Sequence, residues 1–405
     1  MSRGDGEAGM SAANAENGVV DLYEIREDFY DDPHAVMMSL QESGPVHRVR
    51  LPNDLDAWLV VDAEAIRDVL AEPTLVSGPR FLGVSQEDQG GSSTLGMLTC
   101  DEPRHGQLRR LVSSAFKPRE IARLEPRIEA IANDLLNRLN EGDEVDLVET
   151  FAYRLTLEMI IEILGVPLVD RVAFRKWTNE TVVDGDDSAA ILAARKHLES
   201  VLRKTLQEGD GSSLIERIAN ADGTDEAPAM CFDELVSMAY LLLIAGHESA
   251  TNLIANTVVT VLGSEELADR VRTESVSFES LVEESLRFDP PLMLSTSRIT
   301  TCPVSVGGQT IPGGGERVFL AWLAAERDPS VVTDSNEFDP QRQRSRTLAF
   351  GGGGHYCLGA NLARLEATVA LRSLFRRFPS IQLAGPPQRW RSTVTRGIES
   401  LFVRL

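Results

Sequence analysis

Residues 350–359 read Phe-Gly-Gly-Gly-Gly-His-Tyr-Cys-Leu-Gly. This places one thiol, Cys357, behind four glycines and directly before a helix-patterned stretch, Leu358 to Phe375. A sulfur there meets the positive end of a helix dipole and can accept N–H bonds from the turn, which favours a thiolate. The glycines allow left-handed backbone and close approach that other residues reach only with strain. Such a cradle suits one anionic sulfur bound to a large planar group.

A second chemical stretch is Ile244-Ala245-Gly246-His247-Glu248-Ser249. Glu248 beside Ser249 is an acid next to an alcohol, a proton-delivery pair. The Ser249 hydroxyl can bond the carbonyl of Ala245 and bend a helix. Gly246 costs about 1 kcal/mol relative to alanine inside a helix. It is expected where something flat passes close to the backbone. Glu284 and Arg287 share a helix face, and buried together they need each other. His105 and Arg109 also share a face, and both can bind carboxylates.

These residues fall on recognisable elements. The spacing predicts helices over 63–71, 104–116, 121–140, 148–164, 189–208, 214–219, 232–262 and 279–288, the last stopped by Pro290-Pro291. Hairpins are expected at 46–51 with 57–61 and around Gly307-Gly308, with strand and turn at 394–404. Residues 77–98 form a long Gly- and Ser-containing loop, the size of a lid. Helices dominate and strands are short, so the expected class is mainly α with a small β-rich part.

Length alone suggests two or three domains, but no linker marks a split. The expected organisation is a polar leader over residues 1–18 and one domain over 19–405. The net charge of −22 argues against nucleic acid and anionic membrane surfaces as partners. The four cysteines show no disulfide or zinc spacing, which fits a reducing, cytoplasmic setting. The longest apolar stretch carries His247, Glu248 and Asn252 and reads as a buried helix, not a membrane span.

The pattern Phe-Gly-x-Gly-x-His-x-Cys-x-Gly resembles the heme-binding loop of the cytochromes P-450. The Ala-Gly-His-Glu-Ser and Glu-x-x-Arg segments lie where that family has its own, and the likeness covers nearly the whole chain after the leader. The resemblance implies the cytochrome P-450 fold, a single large domain enclosing heme b, with Cys357 as axial ligand. It implies insertion of one oxygen atom from dioxygen into a C–H or C=C bond of a lipophilic small molecule, such as a polyketide or macrolide. Electrons would arrive from NAD(P)H through a reductase and a ferredoxin. Oxidative coupling on the same fold, or a non-oxygenating heme sensor, is the alternative.

By the same resemblance, Phe350, Gly351 and Gly359 frame the cofactor on the cysteine side, and Ala245 and Gly246 lie over it. His105, Arg109, Arg298 and His355 hold its propionates, and Glu248 and Ser249 serve proton delivery. Arg342 joins Glu284 and Arg287 as a structural clamp. Thr347 stands where many relatives carry a histidine, which removes one expected propionate contact. Ser249 stands where threonine is usual. Ile244, Ala245, Leu292, Met293 and Leu294 would line the substrate pocket, with residues 77–98, 166–202 and 396–401 completing it. An acidic cluster at Glu180, Asp184, Asp186 and Asp187 could meet a cationic group on a substrate. Arg109, Arg110, Arg342, Arg344, Arg346 and Arg364 would form a basic patch for an acidic ferredoxin.

Overall fold

The computed structural model describes residues 15–16, 18–77, 96–165, 188–208, 211, 213–220, 228–343 and 346–405. The acidic cluster, Arg344, the greater part of the expected lid and most of the expected leader lie outside these residues.

The fold is organised around one helix, Phe232–Leu262. It spans about 46 Å at the usual rise per residue. Its first turn is closed by Glu234, whose carboxylate accepts the Cys231 amide at 3.0 Å. Nearly all its faces carry apolar residues, so it must be enclosed. Helices Tyr153–Leu164, Ala360–Arg377 and Phe278–Phe288 pack around it and share one large core with Glu125–Leu136.

Beside this bundle lies a mixed sheet. Its order is Ala15–Glu16, Val19–Asp21, Val46–Arg50, Asp56–Val60, Arg317–Leu320, Arg298–Thr300 and Leu75–Ser77. Successive residues serve opposite faces, as the pleat requires. Leu59 and Phe319 join one core with Phe29 and Leu294, whereas Val60, Val318 and Leu320 join another with Ile66 and Trp322. Strand Arg298–Thr300 pairs antiparallel with Arg317–Leu320, which fixes the register of Arg298.

Most expected helices form, with two instructive differences. The stretch 121–140 breaks into Pro118–Ala122 and Glu125–Leu136. Pro126 has no amide to donate, so it fits only in the first turn of a new helix. The stretch 148–164 opens with a wide π turn, Val148–Ala152, before continuing as Tyr153–Leu164. The sequence reading missed helices Arg26–Asp31, Pro33–Ser43, Glu265–Arg272 and Trp322–Glu326. Among the described residues no helix is long and apolar enough to cross a membrane.

Candidate active site

The cysteine loop is shaped by its glycines. Gly351 and Gly353 adopt φ of +68° and +64°, the left-handed region that glycine enters without strain. A Cβ on Gly352 would stand 2.9 Å from Leu70 Cδ1, so the loop presses on helix Ala63–Ala71. The Gly351 amide donates to Leu348 O at 2.7 Å, and the Cys357 amide to Phe350 O at 2.9 Å. Phe350 is half-buried beneath the Arg364 guanidinium, 4.3 Å from its ring centre. Gly359 caps helix Ala360–Arg377. The Cys357 side chain is exposed although protein crowds its flanks. Burial pushes the thiol up, against the Gly359 amide and the charges of Arg109 and Arg364.

Cationic and imidazole donors gather beside this loop. The rings of His105 and His355 stack with centres 4.0 Å apart. His105 Nδ1 lies 3.2 Å from Glu102 Oε1, and its buried Nε2 has no hydrogen-bond partner among the described residues. Arg109 donates to Tyr356 O at 2.5 Å. Neither Arg109 nor Arg298 has a carboxylate ion pair among the described residues. Burial lowers Arg298, with Asp101 opposing. His355 is brought down to about 4 by burial and by the charges of His105, Arg298 and Arg109. Heme carries two propionates and an iron that would take a ligand from the protein. An orphaned imidazole nitrogen, two arginines without carboxylates and an accessible thiol fit that group.

On the central helix, Ala245 is exposed and Ile244, Gly246, Glu248 and Ser249 are half-buried, whereas Leu243, His247 and Ala250 are buried. The side chains of Ile244, Ala245, Glu248 and Ser249 thus keep some exposure on a helix otherwise largely enclosed. Ser249 Oγ donates to Ala245 O at 3.3 Å, as its type and position suggest. Glu248 turns toward His247, with Oε1 3.2 Å from Nε2, while His247 Nδ1 meets Leu243 O at 2.6 Å. Gly246 has a different reason from the one its sequence suggested. A Cβ there would fall 2.8 Å from both Cδ1 and Cγ1 of Ile160, so a helix crossing demands it. At that crossing Thr156 and Thr251 share a buried hydrogen bond of 2.7 Å, a contact not read from the sequence.

The clamp assembles as its residue types require. Glu284 receives Arg287 Nη2 at 2.7 Å and Nε at 3.0 Å, Arg342 Nε at 3.4 Å and the Asp339 amide at 2.9 Å. Arg287 also donates to Ser335 O at 2.7 Å and Glu337 O at 2.8 Å.

A carboxylate absent from the sequence reading, Glu326, anchors the chain entering the cysteine loop. Its Oε1 accepts Thr347 Oγ1 at 2.7 Å, the Ala349 amide at 2.9 Å and the Leu348 amide. Thr347 is therefore engaged with Glu326. Burial pushes the Glu326 carboxyl up, opposed by these three donors and Arg287. Only the helix Trp322–Glu326, itself unpredicted, could have revealed it.

Two expectations need correction. Met293 and Leu294 do not line an open wall: they are 2% and 0% exposed, packed in the core under the sheet. Main-chain pairing of Leu294 with Ala321 and of the Met293 amide with Val394 O draws them inward. Leu292 alone of the three keeps an open face. The basic patch also shrinks. Arg364 pairs with Glu283 at 2.5 Å, and Arg342 is spent on the clamp. Arg110 and Arg346 remain exposed.

Comparisons with known proteins place the chain among relatives. The model of the family described as Cytochrome P450 matches residues 193–389. The chain is 37% identical to Cytochrome P450 107B1 of Saccharopolyspora erythraea, covering 95% of this chain and 98% of that protein. It is 34% identical to 6-deoxyerythronolide B hydroxylase of the same organism, covering 94% and 97%. Among solved structures it resembles the tirandamycin C-bound P450 monooxygenase TamI, with a TM-score of 0.85 and 33% identity over 95% of this chain and 100% of that one.

Proposed function

The chain belongs to the cytochrome P450 family and is a heme monooxygenase, and from that premise we propose that it tailors a lipophilic natural product of polyketide or macrolide type. Cys357 would hold the iron of heme b through its sulfur. When bound through a thiolate, heme supplies activation of dioxygen for insertion of one oxygen atom into a C–H or C=C bond. The residues of this chain hold, screen and supply protons to that reaction.

His105 Nε2, Arg109 and Arg298 receive the propionates, with His355 stacked beside them. Phe350, Gly351 and Gly359 hold the loop so that the sulfur keeps a fixed direction. Ala245 and Gly246 form the opposite floor, and Ile244 and Leu292 contribute apolar surface to the substrate. Ser249 Oγ, leaning on Ala245 O, positions a proton, and Glu248 replenishes it. The Glu284, Arg287 and Arg342 clamp serves structure alone. Residues 19–405 act as one domain.

The observation that carries this reading is the exposed Cys357 thiol beside an unpartnered His105 Nε2 and two arginines, Arg109 and Arg298, without a carboxylate ion pair among the described residues. The names of two relatives, a 6-deoxyerythronolide B hydroxylase and a tirandamycin C-bound monooxygenase, support the substrate class. A small acidic ferredoxin fed by an NAD(P)H reductase is the electron donor, attracted by exposed arginines such as Arg110 and Arg346. Charge complementarity there raises the association rate, so turnover weakens as salt rises.

Reduction under carbon monoxide tests the ligand. The chain gives the red-shifted absorption of a thiolate-bound heme, and Cys357→Ala abolishes it. Persistence of that band in the variant overturns the assignment. An optical spin-shift titration with 6-deoxyerythronolide B and tirandamycin C tests the substrate class, and no shift with either removes it.

A further inference from the structure

We propose that Glu326 is the positioning residue for the Cys357 sulfur, a latch that acts through the backbone. This rests on the reading of Cys357 as the thiolate ligand. The path is continuous. One oxygen of Glu326 accepts Thr347 Oγ1 and the amides of Leu348 and Ala349. Leu348 O then accepts the Gly351 amide, and Phe350 O accepts the Cys357 amide. The first link fixes Leu348, which begins the second, and the second ends at Gly351, the covalent neighbour of Phe350, where the third begins.

Chemistry explains why a carboxylate stands here. The segment 347–349 enters the glycine run without helix or strand of its own, so its amides need an acceptor. A single carboxylate oxygen takes several donors at once, and bonds to an ionised acceptor are about twice as strong as neutral ones. Glu326 is 6% exposed, so bulk solvent does not reach these amides in its place. The clamp lies alongside: a cavity of about 30 Å³ is bordered by Glu284, Arg287, Glu326 and Thr347. That is room for about one water molecule. Arg287 also reaches the Glu326 carbonyl at 3.4 Å. The clamp fixes the latch, and the latch fixes the loop.

The test compares Glu326→Ala, Glu326→Gln and Thr347→Val with a variant in the large helical core, Ile215→Ala on helix Leu214–Ala219, which lowers general stability. Two readouts are taken. The first is hydrogen exchange of amides 348–357 in the heme-free chain. The second is the fraction of heme-loaded, reduced, carbon monoxide-treated protein that shows the thiolate band. Glu326→Ala speeds exchange in this segment by about tenfold or more and lowers the thiolate fraction by more than half. Glu326→Gln falls between, since its amide oxygen still accepts. Thr347→Val speeds exchange by about twofold and keeps the protein folded should Glu326→Ala fail to fold. Unchanged exchange and thiolate fraction in Glu326→Gln and Thr347→Val, or equal losses in Ile215→Ala, overturn the proposal. A wild-type chain without any thiolate band refutes instead the ligand assignment beneath it, while the exchange data still judge the latch.

Discussion

The cysteine loop and the stretch Ile244–Ser249 of the central helix are held by opposite means. The loop hangs on buried charge: Glu284 takes two arginines and an amide, and Glu326 takes a hydroxyl and two amides. The helix stretch is placed by contact: Gly246 fits against Ile160 because it has no side chain. Its polar groups bond along the helix, Ser249 to Ala245 O and His247 to Leu243 O. Directional bonds to charge fix an atom's direction but fail severely when one partner goes. Close packing fixes distance and yields by tenths of an ångström. A ligand sulfur needs the first, and a surface that accommodates a small molecule is served by the second.

The largest effect follows from breaking the first kind of support. Glu284→Ala leaves Arg287 and Arg342 without their shared carboxylate, and Arg287 is buried. Removing one partner of a buried pair costs about 3–5 kcal/mol. Urea unfolding of the heme-free chain measures this loss. A loss below about 1 kcal/mol would erase the contrast between the two regions.

Acidification attacks the same kind of support elsewhere. Asp289 binds His34 at 3.3 Å, Arg389 at 3.3 Å and Arg396 at 3.3 Å, joining helix Pro33–Ser43 to the C-terminal turn. Burial pulls the Asp289 carboxyl up, but His34 and the two arginines outweigh it and hold it well below its ordinary range. Burial lowers His34, with the Asp289 bond opposing. Both groups bind protons more readily when unfolded, so both contribute stability that is lost as pH falls. For His34 the loss begins near its ordinary value of about 6.5, and for Asp289 near about 3.9. The unfolding midpoint should therefore fall in two stages on acidification. His34→Gln should shrink the upper stage, to which the lowered His355 also contributes, and keep the lower. A midpoint that rises between pH 7 and 5 contradicts the assignment.

The contrast also explains what the sequence could show. Cys357 with its glycines is legible because positive φ and close backbone approach restrict residue type, and the restriction is local. Glu284 and Arg287 are legible by their spacing on one helix. Glu326 is not, because its partners lie 21 to 23 residues away and its helix is five residues long. Met293 and Leu294 read as pocket wall because apolar residues suit a core and a pocket equally. Only the pairing with Val394 and Ala321 decides. The reason for Gly246 lay in Ile160, on another helix.

A smaller effect probes the packed region. Gly246→Ala gains about 1 kcal/mol of helix propensity, but its Cβ collides with Ile160, and overpacking costs about 1–3 kcal/mol. A net loss of up to about 2 kcal/mol is expected. Combining it with Ile160→Ala should cost less than the two single changes together, because the second makes room for the first. Strict additivity would mean that the crossing is looser than its distances state.

The smallest effect concerns the alcohol. Ser249 bonds Ala245 O at 3.3 Å, a long contact for a hydroxyl donor. Its side chain has no second group on Cβ to limit rotation. Ser249→Thr adds a methyl that restricts χ1 while keeping the i−4 bond available. The gain in rotamer definition is under about 1 kcal/mol, so product formed per electron pair consumed should rise by no more than about fivefold. Ser249→Ala should lower the same ratio, with oxygen and NAD(P)H still consumed. Measuring product, oxygen and NAD(P)H together in one reaction separates coupling from rate. If threonine leaves the ratio unchanged while alanine collapses it, the hydroxyl matters and its rotamer does not. In that case the central helix governs proton supply by chemistry alone, and the division between a bonded loop and a packed helix becomes sharper. If alanine too leaves the ratio unchanged, Ser249 has no part in proton supply.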